Sequence, residues 1–335
     1  MNTSHTPAAR RVLVTGADGF VGRGIIAALG AQLAQGMIDA VLACDVRAVP
    51  AERQLAGVQY AVLDVRAADL AAQFARFAPD TVVHLASIVT PGKGMTREFE
   101  YAVDVGGTRN VLAACLASGV RHIVVSSSGA AYGYHVDNAP WLTEDMPLRG
   151  NEVFAYAHHK RLVEEMLAEH RRSHPELAQT VLRIGTILGE RVDNQITALF
   201  EKPRLIAIKG SDSPFVFIWD EDVRGAMLHA LSGRARPGCY NLAGDGALTI
   251  HQIAARLGKR TTDFPAGLLK ALLTIGAKLG ISRYGPEQLD FLRYRPVLLN
   301  TALKEVFGYV PAKTSAQAFD AFIAARAAQG RPVTA

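Results

Sequence analysis

The stretch TGADGFVG, residues 15–22, lies between a short β-branched run and an amphipathic segment, and its glycines recur at every third position. Gly16 can adopt a tight turn that other residues avoid, and Gly19 lets the backbone approach a pyrophosphate. Gly22 lets the following helix lie close to the preceding strand. The free N–H groups at the start of that helix then face the phosphates. This strand–turn–helix unit therefore predicts a dinucleotide-binding turn.

Strand and helix patterns alternate from this turn through about residue 190. Continuous apolar runs occur near residues 12–15, 40–45, 58–63, 80–85, 123–125 and 180–184, with helical patterns between most of them. Strands without polar alternation are buried on both faces, which indicates a parallel sheet covered by helices. The sequence therefore predicts an α/β fold, a Rossmann doubly wound parallel sheet, whose ligands bind at the carboxyl ends of the strands.

The chain divides into three predicted parts. Residues 1–10 form a polar N-terminal tail, and residues 11–190 form the Rossmann domain. Regular alternation stops after about residue 190, so we assign residues 191–335 mainly to a smaller substrate-binding lobe, with some segments returning to the Rossmann domain. No disordered linker is evident, and we expect the two parts to pack closely.

Composition excludes several classes of protein. The 335 residues are 49% hydrophobic, which is ample for a core, and 36 Lys and Arg against 31 Asp and Glu give a mild net charge of +5 without a basic block, so we expect no nucleic-acid partner. Three scattered cysteines indicate neither disulfides nor a metal site. The apolar stretch near residues 268–281 contains two lysines and is too short to cross a bilayer. We therefore expect a cytoplasmic protein that does not bind membranes.

An acidic residue ends the second predicted strand. Asp45 can accept hydrogen bonds from both hydroxyls of an adenosine ribose and would repel a 2′-phosphate, which favours NAD over NADP. Arg47 lies two residues later and could neutralise such a phosphate, so NADP stays a less favoured alternative. Asp64 follows the third strand and has two interpretations, as an acceptor for the adenine amino group or as the cap of a helix starting near Ala67.

Proton-transfer chemistry is indicated by YAHHK, residues 156–160, at the start of a predicted helix. Tyr156 and Lys160 are four residues apart and share one face, so an ammonium lies near the phenol. A nearby cation favours the phenolate form, which allows a tyrosine to take or give a proton during hydride transfer. The serines at 126–128 follow the fifth strand, at the same sheet edge as the glycine turn, where a hydroxyl can hold the reacting oxygen.

These motifs, in this order, resemble those of the extended short-chain dehydrogenase/reductases, in their NAD-dependent epimerase/dehydratase group. The matching stretches are TGADGFVG (15–22), Asp45, Asp64-Val65, HLAS (84–87), GTRN (107–110), SSSGAAYG (126–133), YAHHK (156–160), Arg183, Asp222-Val223 and NLAG (241–244). The resemblance implies a catalytic triad of Ser128, Tyr156 and Lys160, with Lys160 also holding the nicotinamide ribose. It further implies a homodimer formed through the helices near residues 99–118 and 153–172. The cofactor-contacting residues expected on this basis are Gly16, Gly19, Phe20, Val21, Gly22, Asp45, Asp64, Val65, Leu85, Ala86, Ser87, Tyr156 and Lys160.

The resemblance is weaker where a substrate diphosphate would bind. Members that act on sugar nucleotides carry an arginine just before the Asp-Val pair, but residues 213–222 contain none. Asp104 stands where asparagine is usual, and Arg183 is followed by neither the usual proline nor the usual asparagine. Substitute cations could come from Lys202, Arg204, Lys209 or Arg295, although each is typical of an ordinary surface charge. Helix geometry points His158 and His159 away from the Tyr156–Lys160 face, so we expect them to face solvent or to pack against neighbouring elements rather than to act as a second acid or base.

The sequence therefore favours an NAD-dependent oxidoreductase or epimerase that acts on a hydroxyl-bearing or carbonyl carbon of a small molecule, a sugar or nucleotide sugar. One alternative is an NAD(P)-dependent dehydrogenase or reductase of a non-nucleotide alcohol or ketone. A second alternative is a non-catalytic protein that senses dinucleotides. The presence of both Tyr156 and Lys160 argues against the sensor.

Overall fold

The computed structural model describes residues 8–92, 94–278, 288–331 and 333–334. Its strands and helices follow the alternation expected from the sequence through residue 184. The strands are β1 (Arg11–Thr15), β2 (Ala40–Asp45), β3 (Gln59–Val62), β4 (Thr81–His84), β5 (His122–Ser128), β6 (Ala178–Ile184), β7 (Thr186–Leu188), β8 (Arg204–Ile208), β9 (Phe217–Trp219), β10 (Gly238–Leu242) and β11 (Arg260–Phe264). The helices are α1 (Phe20–Ala34), α2 (Leu70–Phe77), α3 (Arg97–Tyr101), α4 (Gly107–Ala117), α5 (Ala155–Ser173), α6 (Gln195–Phe200), α7 (Asp220–Leu231), α8 (Ile250–Arg256), α9 (Ala266–Lys278), α10 (Gln288–Arg293) and α11 (Ser315–Ala328).

The central sheet has seven strands in the order β10-β6-β5-β4-β1-β2-β3, and all its neighbours are parallel. Successive residues of β1 show why these strands lack polar alternation. Val12 and Val14 belong to one apolar core and Leu13 to another, and all three are fully buried. Because both faces of the sheet are covered, apolar residues are required at consecutive positions. The predicted doubly wound Rossmann fold is confirmed.

Two C-terminal elements contribute to this sheet and its helical layers. β10 pairs with β6 and forms one edge of the sheet, while residues of α7 join α1 in the same apolar core. Two small parallel pairs, β8 with β11 and β7 with β9, lie outside the central sheet. Their separate core is rich in phenylalanine, including Phe200, Phe217 and Phe319. The C-terminal half therefore builds both a part of the sheet and an apolar cluster of its own.

The helix predicted near residues 99–118 is observed as one unbroken helical stretch that contains a π-helical turn. It consists of α3, the π-helical turn at Ala102–Gly106, and α4. Gly107 follows the turn, and a Cβ atom there would lie 2.4 Å from Val65 Cγ2. Helical periodicity continues across such a turn, which is why the pattern predicted a single helix. The apolar stretch near residues 268–281 falls partly outside the described residues, and among those described no helix has the length and apolar character of a membrane span.

Candidate active site

The glycine turn joins β1 to α1 as the spacing predicts. Gly16 has a φ of +69°, and a Cβ atom there would lie 2.7 Å from the Ala86 backbone nitrogen. A Cβ atom on Gly22 would lie 2.2 Å from the Gly16 carbonyl oxygen. Neither position accepts a side chain without displacing backbone. The first turn of α1 carries no acidic residue and its Gly19 cap offers no side chain, so its N–H groups can bind an anion.

Asp45 ends β2 directly beside this turn. Its Oδ2 accepts a hydrogen bond from the Asp18 N–H at 2.9 Å, which fixes the carboxylate against the glycine turn. The Asp18 carboxylate is itself paired with Arg53 at 2.9 Å, whereas Arg47 is exposed. The Asp45 carboxylate, which was predicted to bind the adenosine ribose, is thus fixed by the glycine turn, which was predicted to bind the phosphates.

Asp64 follows β3 and binds Arg66 through both carboxylate oxygens, with an Nη2–Oδ2 distance of 2.6 Å. The hydrogen bonds from Arg66 hold the pKa of the Asp64 carboxyl below its usual range. The interpretation of Asp64 as a helix cap is wrong, because α2 begins at Leu70 with Asp69 at its cap position. Val65 packs its side chain against Gly107.

The residues that follow β4 lie against the glycine turn. Leu85 and Ala86 approach Gly16 closely enough that only a hydrogen atom fits between them. Behind them, His84 bridges Thr15 Oγ1, 2.8 Å from its Nδ1, and Thr108 Oγ1, 3.1 Å from its Nε2. Burial lowers the pKa of His84 to about 3, so this ring is neutral. The bridge ties β1, β4 and α4 together directly beneath the turn.

The three residues of the expected triad lie at the junction of β5 and α5. Ser128 is the last residue of β5, and its Oγ accepts a hydrogen bond from the Ala130 N–H at 3.1 Å. Tyr156 and Lys160 lie on the first turns of α5, with Lys160 Nζ 5.7 Å from the Tyr156 ring centroid. Lys160 Nζ donates to the Ser126 carbonyl oxygen at 2.9 Å. That bond joins the helix with the lysine to the strand with the serine.

Aromatic rings cluster beside Tyr156 around a partly buried cation. Tyr134, Phe154 and Phe291 form this aromatic cluster, with Tyr134–Phe291 centroids 4.9 Å apart and Phe154 two residues before Tyr156. The Arg295 guanidinium lies over Phe291 at 4.6 Å and over Phe215 at 4.0 Å. Burial lowers the pKa of Arg295 to about 10. Its Nε has no hydrogen-bond acceptor within the described part of the chain.

The other cations considered from the sequence have different environments. Lys202, Arg204 and Lys209 are exposed, as expected for surface charges. Arg183 is buried and pairs with Glu164 at 2.8 Å, so it is not directed toward a ligand. Of the four cations expected to be ordinary surface charges, Arg295 alone departs from that expectation. The sequence offered no signal for this, because the rings that stack on it come from positions 215 and 291.

A groove of about 470 Å³ opens beside the first turn of α1. It is bordered by Phe20 and Val21 from the N-terminal half and by Ile187 and Trp219 from later segments. Two of the residues expected to contact the cofactor therefore face a space that both halves of the chain enclose. Among the described residues, no group of three His, Cys, Asp or Glu side chains could hold a metal ion.

His159 takes the packing role, one of the two roles expected for a side chain directed away from the Tyr156–Lys160 face. It is 1% exposed rather than directed to solvent, and its Nδ1 lies 3.1 Å from Asp104 Oδ2. His158 is half-buried and contacts Arg97 instead, with Nδ1 3.1 Å from Nη2. Asp104, which stands where asparagine is usual, is itself buried, and a buried carboxylate requires a hydrogen-bond donor or a cation nearby.

Comparison with known proteins places these features in a family. The model of the NAD dependent epimerase/dehydratase family matches residues 12–243, more than half of the chain. An uncharacterized protein of Mycobacterium tuberculosis is 28% identical over 330 residues, covering 97% of this chain and 86% of that protein. The glycine turn, Asp45 and the Tyr156–Lys160 pair all lie inside the matched family segment.

Solved structures share the fold across almost the full length. The Bordetella bronchiseptica enzyme WbmG, in complex with NAD and UDP, superposes with a TM-score of 0.72 at 18% identity, covering 98% of this chain and 97% of that one. UDP-glucose 4-epimerase of Thermotoga maritima, with UDP-glucose, gives a TM-score of 0.71 at 18% identity, covering 95% and 99%. Together with the match to the family model, the shared fold shows that this chain belongs to the NAD-dependent epimerase/dehydratase family.

Proposed function

We propose that this protein is an NAD-dependent oxidoreductase or epimerase that acts on a hydroxyl-bearing carbon of a nucleotide sugar, with Ser128, Tyr156 and Lys160 as its catalytic residues. The observation that carries the proposal is the placement of Tyr156 beside Lys160, whose ammonium is bonded to the strand that ends in Ser128. Ser128 ends β5 at the carboxyl end of the sheet, where the glycine turn also lies, and Lys160 contacts the same strand at Ser126.

The residues at the glycine turn fit NAD. Gly16 and Gly22 leave backbone exposed where any side chain would collide, and the uncapped start of α1 offers N–H groups to a pyrophosphate. Asp45 offers a carboxylate to the adenosine ribose, and a 2′-phosphate at the same place would be repelled. We therefore propose NAD rather than NADP. Leu85, Ala86 and Ser87 would line the nicotinamide half, and Lys160 would bind its ribose hydroxyls.

The chemistry divides between cofactor and protein. When bound, NAD accepts the hydride that leaves the substrate carbon. Tyr156 takes the proton of the substrate hydroxyl, because the Lys160 ammonium nearby favours the phenolate. Ser128 donates a hydrogen bond to the same substrate oxygen and holds it at the phenol. The half-reaction is shared by net oxidation, in which the ketone leaves, and by epimerisation, in which the ketone is reduced again on its other face.

Arg295 supports an anionic substrate. Its guanidinium lies over the rings of Phe215 and of Phe291, a member of the aromatic cluster, and its buried Nε has no acceptor among the described residues. A buried donor without a partner is costly, and phosphate oxygens are well matched to a guanidinium. The diphosphate of a nucleotide sugar would supply those oxygens. Arg295 would therefore take the place of the arginine that is missing from residues 213–222.

A non-nucleotide alcohol or ketone is the second candidate. It is favoured by the single partly buried cation near the aromatic cluster, since a diphosphate carries two negative charges. Affinity for UDP separates the two candidates. We expect UDP to bind the parent protein and Arg295→Gln to weaken that binding by about tenfold to a hundredfold, whereas Lys209→Gln, at an exposed cation, leaves it unchanged. Absence of UDP binding would favour the second candidate.

The catalytic proposal is tested by a matched pair of tyrosine substitutions. UDP-sugars are supplied with NAD, and turnover is followed by NADH absorbance for oxidation and by product analysis for epimerisation. Tyr156→Phe should lower kcat by about 10²–10⁴ while NAD still binds. Tyr240→Phe removes a hydroxyl that bonds the Arg236 carbonyl oxygen at the edge strand, and should leave kcat intact. Equal activity of Tyr156→Phe and parent would overturn the assignment and favour a dinucleotide sensor.

Two further expectations stay predictions. The homodimer would form through α4 and α5, near which Phe99, Tyr101 and Val153 are exposed. Light scattering at micromolar concentration would show twice the mass of one chain, and a single-chain mass would contradict it.

Fractionation of producing cells would test the cytoplasmic location.

A further inference from the structure

Helix α9 carries a row of exposed apolar side chains. Leu268, Leu272 and Ile275 are 51%, 53% and 55% exposed. Their spacing of four and then three residues puts all three on one side of the helix. A single exposed apolar residue is ordinary, but a contiguous row of them is typical of a surface that binds a partner or a membrane. We call these three residues the α9 stripe.

The α9 stripe is not the side that packs the helix onto its own protein. Leu269 and Leu273 each follow a stripe residue, about 100° further round the helix, and both are half-buried. A surface helix needs one apolar face to pack against the rest of its domain. Since Leu269 and Leu273 supply that face, the α9 stripe is a second apolar face, beyond what the fold uses.

The charges on α9 and close to it are mostly positive. The helix contains Lys270 and Lys278 and no acidic residue, and Lys270 is exposed. Another exposed lysine, Lys209, donates its backbone N–H to the Phe264 carbonyl oxygen at 2.9 Å, two residues before the helix begins. The nearest acidic residue in the sequence is Asp263, on β11. The apolar stripe therefore lies in a basic setting.

The strand pair that leads into α9 combines the same two features. β8 and β11 run parallel, with Arg204 opposite Arg260, and both arginines are exposed. Ile206, two residues after Arg204, is 52% exposed, whereas Leu205 between them is buried in the phenylalanine-rich core. Cations and exposed apolar side chains thus occur together on consecutive elements of the C-terminal half.

This combination distinguishes two occupants that could cover the stripe. A second copy of the chain, related by two-fold symmetry, would bring the lysines of one copy towards those of the other, and like charges repel. The surface of an anionic bilayer attracts the same lysines, and its boundary between headgroups and acyl chains accepts leucine and isoleucine. Charge therefore favours the bilayer over the second copy.

We propose that α9 is a membrane-docking helix, which binds the surface of an anionic bilayer by inserting Leu268, Leu272 and Ile275 between the headgroups. The helix has 13 residues, about 20 Å, so it would lie in the plane of the surface and would not cross the bilayer. The sequence indicated a protein that does not bind membranes, because this stretch is too short to span one. Length excludes a span, but it does not exclude docking on the surface.

Vesicle sedimentation of the full chain, without NAD or substrate, tests the proposal. The parent protein should bind vesicles of phosphatidylcholine mixed equally with phosphatidylglycerol about tenfold more tightly than vesicles of phosphatidylcholine alone. Salt at about 0.5 M should remove most of that difference, since it screens exposed charges. Lys270→Gln should weaken binding to the anionic vesicles by about fivefold.

The stripe itself is tested by a matched pair of variants. Leu268→Gln/Leu272→Gln should lower the affinity for anionic vesicles by about a hundredfold, because two apolar side chains no longer enter the bilayer. Val310→Gln changes a residue that is 67% exposed outside α9, and this control should bind as the parent does. Thermal unfolding should match the parent in both variants, since all three positions are exposed. If the double variant does not fold, Leu272→Gln alone replaces it.

A polarity-sensitive dye then locates the contact. Attached at Ile275→Cys, the dye should shift its emission to the blue when anionic vesicles are added, whereas at Val310→Cys it should not. The proposal is overturned if the parent fails to bind anionic vesicles, or if Leu268→Gln/Leu272→Gln binds them as the parent does. A lower mass of that double variant in light scattering, with no vesicle binding by the parent, would assign the stripe to a second copy instead. None of these measurements needs a cofactor or turnover, so their outcome is independent of the proposed function.

Discussion

The glycine turn depends on contacts that are close in the sequence, whereas Asp222 in the C-terminal half makes contacts that are distant in the sequence. In the turn, Gly22 approaches the Gly16 carbonyl oxygen six residues away, and the geometry depends on missing side chains. In the C-terminal half, Asp222 Oδ1 accepts hydrogen bonds from the Tyr309 hydroxyl at 3.0 Å and from the Ala312 N–H at 2.7 Å, about ninety positions later. A local pattern suffices for the first arrangement, whereas the second requires the folded chain.

This difference predicts where substitutions act on function and where they act on stability. A side chain added to the turn should block the proposed cofactor site directly, while neighbouring positions on α1 should tolerate change. Removing a buried carboxylate from the C-terminal half leaves donors without partners, so the free energy of unfolding should fall without any specific loss of NAD affinity. The predictions below test that separation, beginning with the largest expected effect.

Gly22→Ala should abolish NAD binding, or weaken it by about a hundredfold, because the added methyl group would lie 2.2 Å from a backbone oxygen of the phosphate turn. Gly24→Ala is the matched control on the same helix, where the nearest atom to a new Cβ would be Arg224 Nη1 at 3.8 Å. Alanine is the better helix former by about 1 kcal/mol, so this control should be stabilised and should bind NAD normally. Calorimetric titration with NAD and thermal melting measure both effects. Equal NAD affinity in the two variants would contradict the role of the turn.

Asp222→Ala should lower the free energy of unfolding by about 3 kcal/mol, because the Tyr309 hydroxyl and the Ala312 N–H lose a buried acceptor. Glu221→Ala removes the neighbouring carboxylate of α7, which is 65% exposed, and should change stability by less than about 0.5 kcal/mol. Urea unfolding compares the two variants. An equal loss of unfolding free energy in Asp222→Ala and Glu221→Ala would show that the long-range contacts of Asp222 do not stabilise the C-terminal half.

Acidification should weaken the sheet through a buried histidine. His122 on β5 bonds Thr180 Oγ1 of β6 at 2.9 Å, and burial lowers its pKa from 6.5 to about 4. Between pH 6.5 and pH 4 the unfolded chain therefore binds a proton at His122 more readily than the folded chain does. The stabilising contribution of the neutral ring is fully present above pH 6.5 and is lost as the pH falls toward 4. The expected loss from this one ring is about 3 kcal/mol at pH 4.

His122→Gln isolates this contribution because an amide can still bond Thr180 but does not titrate. Between pH 7 and pH 4 its free energy of unfolding should fall by about 3 kcal/mol less than that of the parent. His251→Gln, at an exposed histidine of α8, should show the parent slope. Urea midpoints at several pH values provide the measurement, and parallel slopes in all three proteins would exclude His122 as the source.

The same contrast explains how far the sequence could predict the molecule. The positions of the strands through β6 and of the glycine turn follow from local periodicity, since both faces of the sheet impose apolar residues and only glycine fits the close approach. The end of β5 was predicted wrongly, because the strand continues to Ser128 through the serines that were expected to follow it. The Asp104–His159 pair and the stacking of Arg295 could not be derived, because their partners come from elements whose mutual positions no spacing rule specifies. His159 in particular was assigned to solvent or packing from the helix alone, and its buried partner lies on the π-helical turn that periodicity had concealed.

The smallest expected effect separates buried from exposed contacts within the C-terminal half itself. Asp245 Oδ1 accepts hydrogen bonds from Asn300 Nδ2 at 2.7 Å and from Lys304 Nζ at 2.9 Å. Asn300 is 4% exposed and also donates to the Ala243 carbonyl oxygen, whereas the Lys304 and Asp245 side chains are 31% and 54% exposed. Lys304→Met should therefore change the free energy of unfolding by less than about 0.5 kcal/mol, because solvent screens the pair.

Asn300→Leu, by contrast, leaves two acceptors without their buried donor and should cost about 2 kcal/mol. Both variants are compared by urea unfolding at low and at 0.5 M salt. Salt should reduce only the small Lys304 contribution, since it screens exposed charges far more than a buried amide. If Lys304→Met lowered the free energy of unfolding as much as Asn300→Leu does, then charge rather than burial would determine how much these long-range contacts stabilise the C-terminal half.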